Sequence, residues 1–89
     1  MTTKPNTPVH GRVVDAKGRP VAQASVGWVD GPVALPEVMA LTDAQGRFTL
    51  TAPVHGAYRL HCRSDAHGER QLAVQVGASS PALRVVLPR

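Results

Sequence analysis

The chain has 89 residues, enough for one small domain with a thin core and too few for two. Apolar residues make up 43% but aromatic ones only 3%, so Val, Leu and Ala must fill the interior around Trp28, Phe48 and Tyr58, a composition that favours sheets over a helical bundle. The net charge of +4 permits an anionic partner without requiring one, and the single cysteine, Cys62, excludes an internal disulfide framework.

The chain opens on MTTKPNTP, polar and rich in turn formers, which reads as a flexible segment over residues 1–7 ahead of one domain over 8–89. That opening holds no apolar run of the kind a cleavable secretory signal carries, and nowhere do roughly 18 apolar residues run together. The expectation is a cytoplasmic protein without membrane contact, exported, if at all, without a cleavable signal. From residue 9 onward the periodicity is two, not 3.6. Strands are expected over 9–15, 24–30, 38–42, 48–51, 58–63, 72–76 and 83–87. The clearest is 58–63, where Tyr-Arg-Leu-His-Cys-Arg alternates apolar and basic side chains at every step, as a half-buried strand does. No segment carries a helical stripe with a cap, so the chain reads as an all-β, seven-stranded domain.

Between these strands one tetrapeptide recurs: Asp15-Ala16-Lys17-Gly18, Asp43-Ala44-Gln45-Gly46 and Asp65-Ala66-His67-Gly68. An aspartate can accept from a backbone N–H two residues on, and a glycine takes positive φ at little cost, so each copy suits a type I turn closed by a glycine bulge. A calcium loop needs several oxygen ligands, and each copy offers one carboxylate. The repeat therefore reads as one turn used three times, with the first copy opening toward Pro20.

The stretch His10-Gly11-Arg12-Val13-Val14-Asp15-Ala16-Lys17-Gly18-Arg19-Pro20-Val21-Ala22-Gln23-Ala24-Ser25-Val26, followed by Thr42-Asp43-Ala44-Gln45-Gly46-Arg47-Phe48 and by Gly56-Ala57-Tyr58, resembles the carboxypeptidase regulatory-like domain. Gln23 departs from that pattern, which usually has glycine there, and Val54-His55 is an insertion between Pro53 and Gly56. The resemblance implies a transthyretin-like, Greek-key β-sandwich, usually attached to larger proteins and without catalysis of its own. Each segment also has a physical reason. Pro20 stiffens an extended link between sheets, Thr42-Asp43 ends a strand and opens a turn, and Gly56 bends the chain into a strand whose Tyr58 buries its ring and bonds its hydroxyl near one end of the sandwich.

Enzymatic readings fail by residue type. Intradiol dioxygenases, related by fold, hold iron with two Tyr and two His, and Tyr58 is the one tyrosine here. The hydroxyisourate hydrolases end in Tyr-Arg-Gly-Ser, unlike Val86-Leu87-Pro88-Arg89. His10, His55, His61 and His67 lack paired ligand spacing. Cys62 beside His61 suggests a nucleophile and base, but neighbours on a strand face opposite ways. No catalytic residue, metal or cofactor is expected.

Two surface features are candidates for binding. The stretch 28–39, with Trp28, Pro32, Val33, Leu35 and Met39, is the longest and most apolar connection, either a lid over the core or a contact surface for a partner. A basic row, Arg59, His61 and Arg63, projects from one face of one strand, with Arg12, Arg47 and Arg84 also outward. No aromatic lies near these arginines to stack on bases, which argues against nucleic acid; anionic glycans and acidic protein surfaces remain open as ligands. The reading is a non-catalytic protein-interaction or assembly module that binds another protein. The resemblance adds a rival, an accessory or adaptor of a bacterial contractile (type VI) secretion spike, where transthyretin-like extensions recruit cargo. A carbohydrate-binding module is the other rival, weakened by the lack of an exposed aromatic platform.

Overall fold

In the computed structural model, which describes residues 7–35, 39–78 and 82–89, every strand expected from the alternation forms. They are β1 (Thr7–Val14), β2 (Ser25–Asp30), β3 (Met39–Leu41), β4 (Arg47–Ala52), β5 (Gly56–Ser64), β6 (Gly68–Val76) and β7 (Leu83–Val86). Val38, the start of the third expected strand, lies outside the described residues, as do residues 1–6 of the expected flexible segment. The described residues contain no helix. Two sheets result: sheet A in the order β4-β1-β7, and sheet B in the order β3-β2-β5-β6. All pairs are antiparallel except β1 with β7, which is parallel.

The alternation that predicts the strands also fixes which face is buried. In β4 burial strictly alternates, with Phe48, Leu50 and Ala52 inside and Arg47, Thr49 and Thr51 outside. Opposite it, Val9, Gly11 and Val13 turn inward from β1. Tyr58, Leu60 and Cys62 of β5, Val26 of β2, Val74 and Val76 of β6 and Val85 of β7 complete an interior in which Leu60, Val13, Val26 and Val85 are fully enclosed. With so few aromatics, placement of each one matters. Phe48 lies across the sheet from Gly11, and a β-carbon at Gly11 would fall 2.3 Å from the ring's Cζ, so the glycine makes room for the largest piece of the core. Tyr58 buries its ring, and its hydroxyl donates to the Val54 carbonyl at 2.7 Å and accepts from the Val54 N–H at 3.3 Å. The inserted Val54 is thus the partner that satisfies the tyrosine.

The recurring tetrapeptide builds the same turn twice. Asp15 Oδ1 accepts from the N–H groups of Lys17 and Arg19, and Asp43 Oδ1 from those of Gln45 and Arg47, all at 2.9 Å. Gly18 and Gly46 close these turns at φ of 82° and 76°, each donating to the aspartate carbonyl three residues back. The third copy keeps the expected glycine at positive φ, with Gly68 at 89°, but departs from the expectation in its aspartate. Its turn is set one residue earlier, with the His67 N–H on the Ser64 carbonyl, and the Asp65 carboxylate lies 3.8 Å from Arg63 instead of on the backbone. The nine-residue ladder between β5 and β6 runs out to Ser64 opposite Gly68. That ladder fixes the turn length, and the aspartate is not needed to close it.

The link from β1 to β2 is held by Thr42. Its hydroxyl donates to the Val21 carbonyl at 2.6 Å and accepts from the Ala24 N–H at 2.9 Å, and both groups are buried. Between them Gln23 sits at φ of 59°. This is the left-handed region that glycine adopts freely, which accounts for glycine at this place in the pattern the sequence resembles.

Candidate functional site

The reactive side chains are dispersed and engaged. Cys62 is fully enclosed, and burial pushes its thiol up to about 11, so it is a core residue with little thiolate. His61, next to it, faces the other side of sheet B, with its Nε2 2.8 Å from Glu69 Oε1; this hydrogen bond, helped by the imidazole's field, holds the Glu69 carboxyl below its ordinary value. His10 Nδ1 lies 3.0 Å from Thr49 Oγ1 on sheet A. The His67 ring meets the Arg89 carbonyl at the β5–β6 turn, and His55 is exposed in the bend before β5. Among the described residues no three His, Cys, Asp or Glu side chains are grouped to hold a metal ion. The two turn carboxylates, Asp15 and Asp43, are held below their ordinary value, first by the backbone N–H of Arg19 and of Arg47 respectively.

The apolar stretch divides into a covered half and an open half. Trp28 is half-buried; its ring centroid is 4.7 Å from that of Tyr58, and its indole N–H donates to the Thr51 carbonyl at 3.1 Å. Thr51 falls between the residues of β4 that bond to β1, and β4 is the edge of sheet A, so its carbonyl points away from β1; the indole meets it there and ties the two sheets together. Gly31 lies against the Tyr58 ring, Pro32 against Gly56, and Leu35 packs on the core. This part is the lid. Val33, however, is 43% exposed, Met39 55%, and two residues that the alternation identifies less directly, Val29 and Leu41, are 51% and 66%. Met39 and Leu41 face out from β3, opposite Gly27 and Ser25 of β2. The signal for Leu41 was present in Met39-Ala40-Leu41: Ala40 turns inward against the core, which leaves the larger apolar pair outside. Val29 is exposed by a bulge, since Trp28 pairs with Leu60 but Asp30 with Arg59.

The basic row lies where alternation puts it, with Arg59 and Arg63 exposed and His61 partly covered on the outer face of sheet B. Its charge is met at His61 and Arg63, while Arg59 makes no ion pair among the described residues. Glu69 engages His61, Asp65 lies 3.8 Å from Arg63, and Asp30 stands opposite Arg59 in the ladder. The arginines of the other sheet, Arg12, Arg47 and Arg84, form a separate group.

Two sheets closed over a Val- and Leu-rich interior, with the polar groups of turns and links spent on holding them, define a small β-sandwich module. The model of the carboxypeptidase regulatory-like domain family matches residues 8–88, nearly the whole chain, and the chain belongs to that family. Domains of the family are non-catalytic β-sandwiches often appended to larger proteins. No curated protein is matched by the sequence.

Proposed function

We propose that this domain is a protein-interaction module that works through the β3 edge of sheet B. The observation that carries the reading is the group of exposed apolar side chains there, Met39, Leu41, Val29 and Val33, on or beside a three-residue edge strand. An edge strand leaves backbone N–H and C=O groups unpaired on its open side, and such edges are normally blunted with charge or proline. Exposed Met and Leu on an edge favour a protein partner that buries them, by lateral contact or by adding a strand. An accessory or adaptor of a larger assembly, such as a secretion spike, is one setting in which such a module would act. A glycan fits less well, because Trp28, the ring on which a sugar would stack, is half-buried with its N–H engaged on Thr51.

Tagged protein purified from its native cell, followed by mass spectrometry, tests this. Met39→Asp with Leu41→Asp changes two exposed positions, and is expected to keep the parent's melt while losing a stoichiometric protein partner. Leu35→Asp would not serve, since Leu35 is packed on the core and its loss would confuse stability with binding. A partner retained by the doubly substituted protein would reject the β3 edge as the contact.

A further inference from the structure

The ladder register places Arg47 of β4 opposite Arg12 of β1, and Arg12 beside Arg84 of β7, so three arginines run in one line across the outer face of sheet A. Their inward neighbours Val13 and Val85 are fully buried, and all three arginines are exposed. Adjacent strands lie about 4.8 Å apart, so the line is roughly 10 Å long. Like charges directly opposite one another destabilise a sheet. Among the described residues none of the three is in an ion pair with a carboxylate. Asp43 is a partial counter-charge, its carboxyl lowered first by the Arg47 N–H and in part by the fields of Arg47 and Arg12, but one of its oxygens is held by the N–H groups of its own turn.

The row is also arranged to receive something. Arg12 Nε donates to the Gln45 carbonyl at 3.0 Å, which fixes the stem and leaves the other guanidinium nitrogens for a ligand. Beside the row is a depression of about 330 Å³ with Arg12, Arg47, His10 and Thr49 at its rim and Gly11, Phe48, Ala82 and Leu83 making the rest of its wall, so that it offers a ligand apolar surface next to the arginines. We propose that this face docks an acidic segment of a protein partner, with the arginine row taking its carboxylates. Arginine's planar fork binds a carboxylate through two parallel hydrogen bonds, a geometry that lysine does not offer. In an extended segment alternate side chains fall on one face about 6.8 Å apart, so the row spans two such carboxylates. A nucleic acid strand would ask for a longer basic track and for stacking aromatics, and the outer face of sheet A presents Thr49, Thr51 and His10 beside its arginines.

The surface is separate from the β3 edge, so the two proposals fail independently. The probe is a fluorescent peptide of about twelve residues alternating Glu and Ser, which puts every carboxylate on one face when extended. Anisotropy at low salt is expected to show binding that weakens as salt is added. Arg47→Glu with Arg84→Glu should weaken it at least about tenfold, whereas Arg59→Glu with Arg63→Glu, an equal change in net charge on sheet B, should weaken it less than about threefold. Met39→Asp with Leu41→Asp should leave it unchanged. The neutral pair Arg47→Gln and Arg84→Gln should also lose the peptide while raising the melting temperature by about 1–5 °C, because like-charge opposition is relieved. Equal losses from the two charge reversals would reduce the effect to net charge and overturn the proposal. So would absence of peptide binding, tighter binding of a single-stranded oligonucleotide of equal charge, or a neutral variant that melts lower than the parent.

Discussion

Gly18 and Gly46 occupy equivalent places in two copies of one turn, with nearly the same φ, and differ in what surrounds them. Replacing either with alanine forces an L-residue into the left-handed region at about 1–2 kcal/mol. Part of this, about 0.5–1 kcal/mol, is offset because alanine has less freedom to lose from the unfolded chain. For Gly18 little else opposes the change, since the nearest atom to an added β-carbon is Arg84 Nη2 at 4.0 Å, and Gly18→Ala should cost about 1 kcal/mol. At Gly46 the β-carbon would lie 2.4 Å from the Val13 carbonyl oxygen and 3.2 Å from the Val21 nitrogen. These are backbone atoms of a central strand and its link, and they cannot swing aside. The Val13 oxygen accepts from the Val21 N–H at 3.0 Å, and the Val13 N–H donates to the Gly46 carbonyl at 2.7 Å. Displacing them weakens two hydrogen bonds worth about 1 kcal/mol each, in addition to the conformational cost. Gly46→Ala should therefore cost about 3 kcal/mol, a large fraction of what a domain this small has.

Equilibrium unfolding in urea measures both, with the slope of the transition checked for constancy. Asparagine separates the two contributions, because it tolerates positive φ better than alanine but is no smaller at the β-carbon. Gly18→Asn should recover most of the loss, and Gly46→Asn should recover little. Alanine variants that agree within about 0.5 kcal/mol would refute the contact argument and leave backbone conformation as the whole effect.

Three further outcomes follow from the turns and the link. Gln23→Gly should stabilise the domain by about 0.5–1 kcal/mol, seen as a higher urea midpoint, because the residue already sits at a φ that favours glycine. Thr42→Val keeps the shape but leaves the buried Val21 carbonyl and Ala24 N–H without their partner, and should cost about 2–4 kcal/mol, while Thr42→Ser should cost about 1 kcal/mol. Asp15 and Asp43 have folded-state pKa values below their ordinary 3.8. Their contribution is present above that value and lost as pH falls through the lower folded one, so urea midpoints should drop as the pH is taken below about 4. The double variant Asp15→Asn and Asp43→Asn, whose amide oxygens still accept from the turn, should show a flatter profile over that interval.

Strand positions were legible because alternation is local: in β4 and β5 each side chain's polarity states its face. The Asp-Ala-X-Gly turns were legible for the same reason in two copies. The third was legible in its glycine but not in its aspartate, because the closure between Ser64 and Gly68 follows from the β5–β6 ladder, and pairing is a property of two segments at once. The covered half of the apolar stretch was hidden likewise. Nothing within Gly31–Leu35 says that Tyr58 will lie beside Gly31 or that Leu35 will reach the core. Gln23 illustrates the opposite case, where a departure from the family's pattern was visible as a letter but its positive φ was visible only in the folded chain.

The net charge of +4 says nothing about where the charge goes, and the fold separates it sharply. Of the six acidic residues, Asp15 and Asp43 are engaged on the backbone of the turns next to sheet A, where they close structure more than they neutralise a face. Asp30, Asp65 and Glu69 fall beside Arg59, Arg63 and His61 on sheet B. Among the described residues the outer face of sheet A thereby keeps Arg12, Arg47 and Arg84 without an ion pair, with the Asp43 carboxylate as a partial counter-charge to Arg47 and Arg12, although a sheet face needs no charge beyond what keeps it wet. Since like charges opposite one another weaken the ladder that holds them, three in line are better explained by a ligand than by solubility. Solubility would be served equally by mixed signs, as on sheet B. The two faces of one sandwich therefore call for different physics: salt should loosen whatever meets sheet A and leave an apolar contact at β3 nearly unchanged.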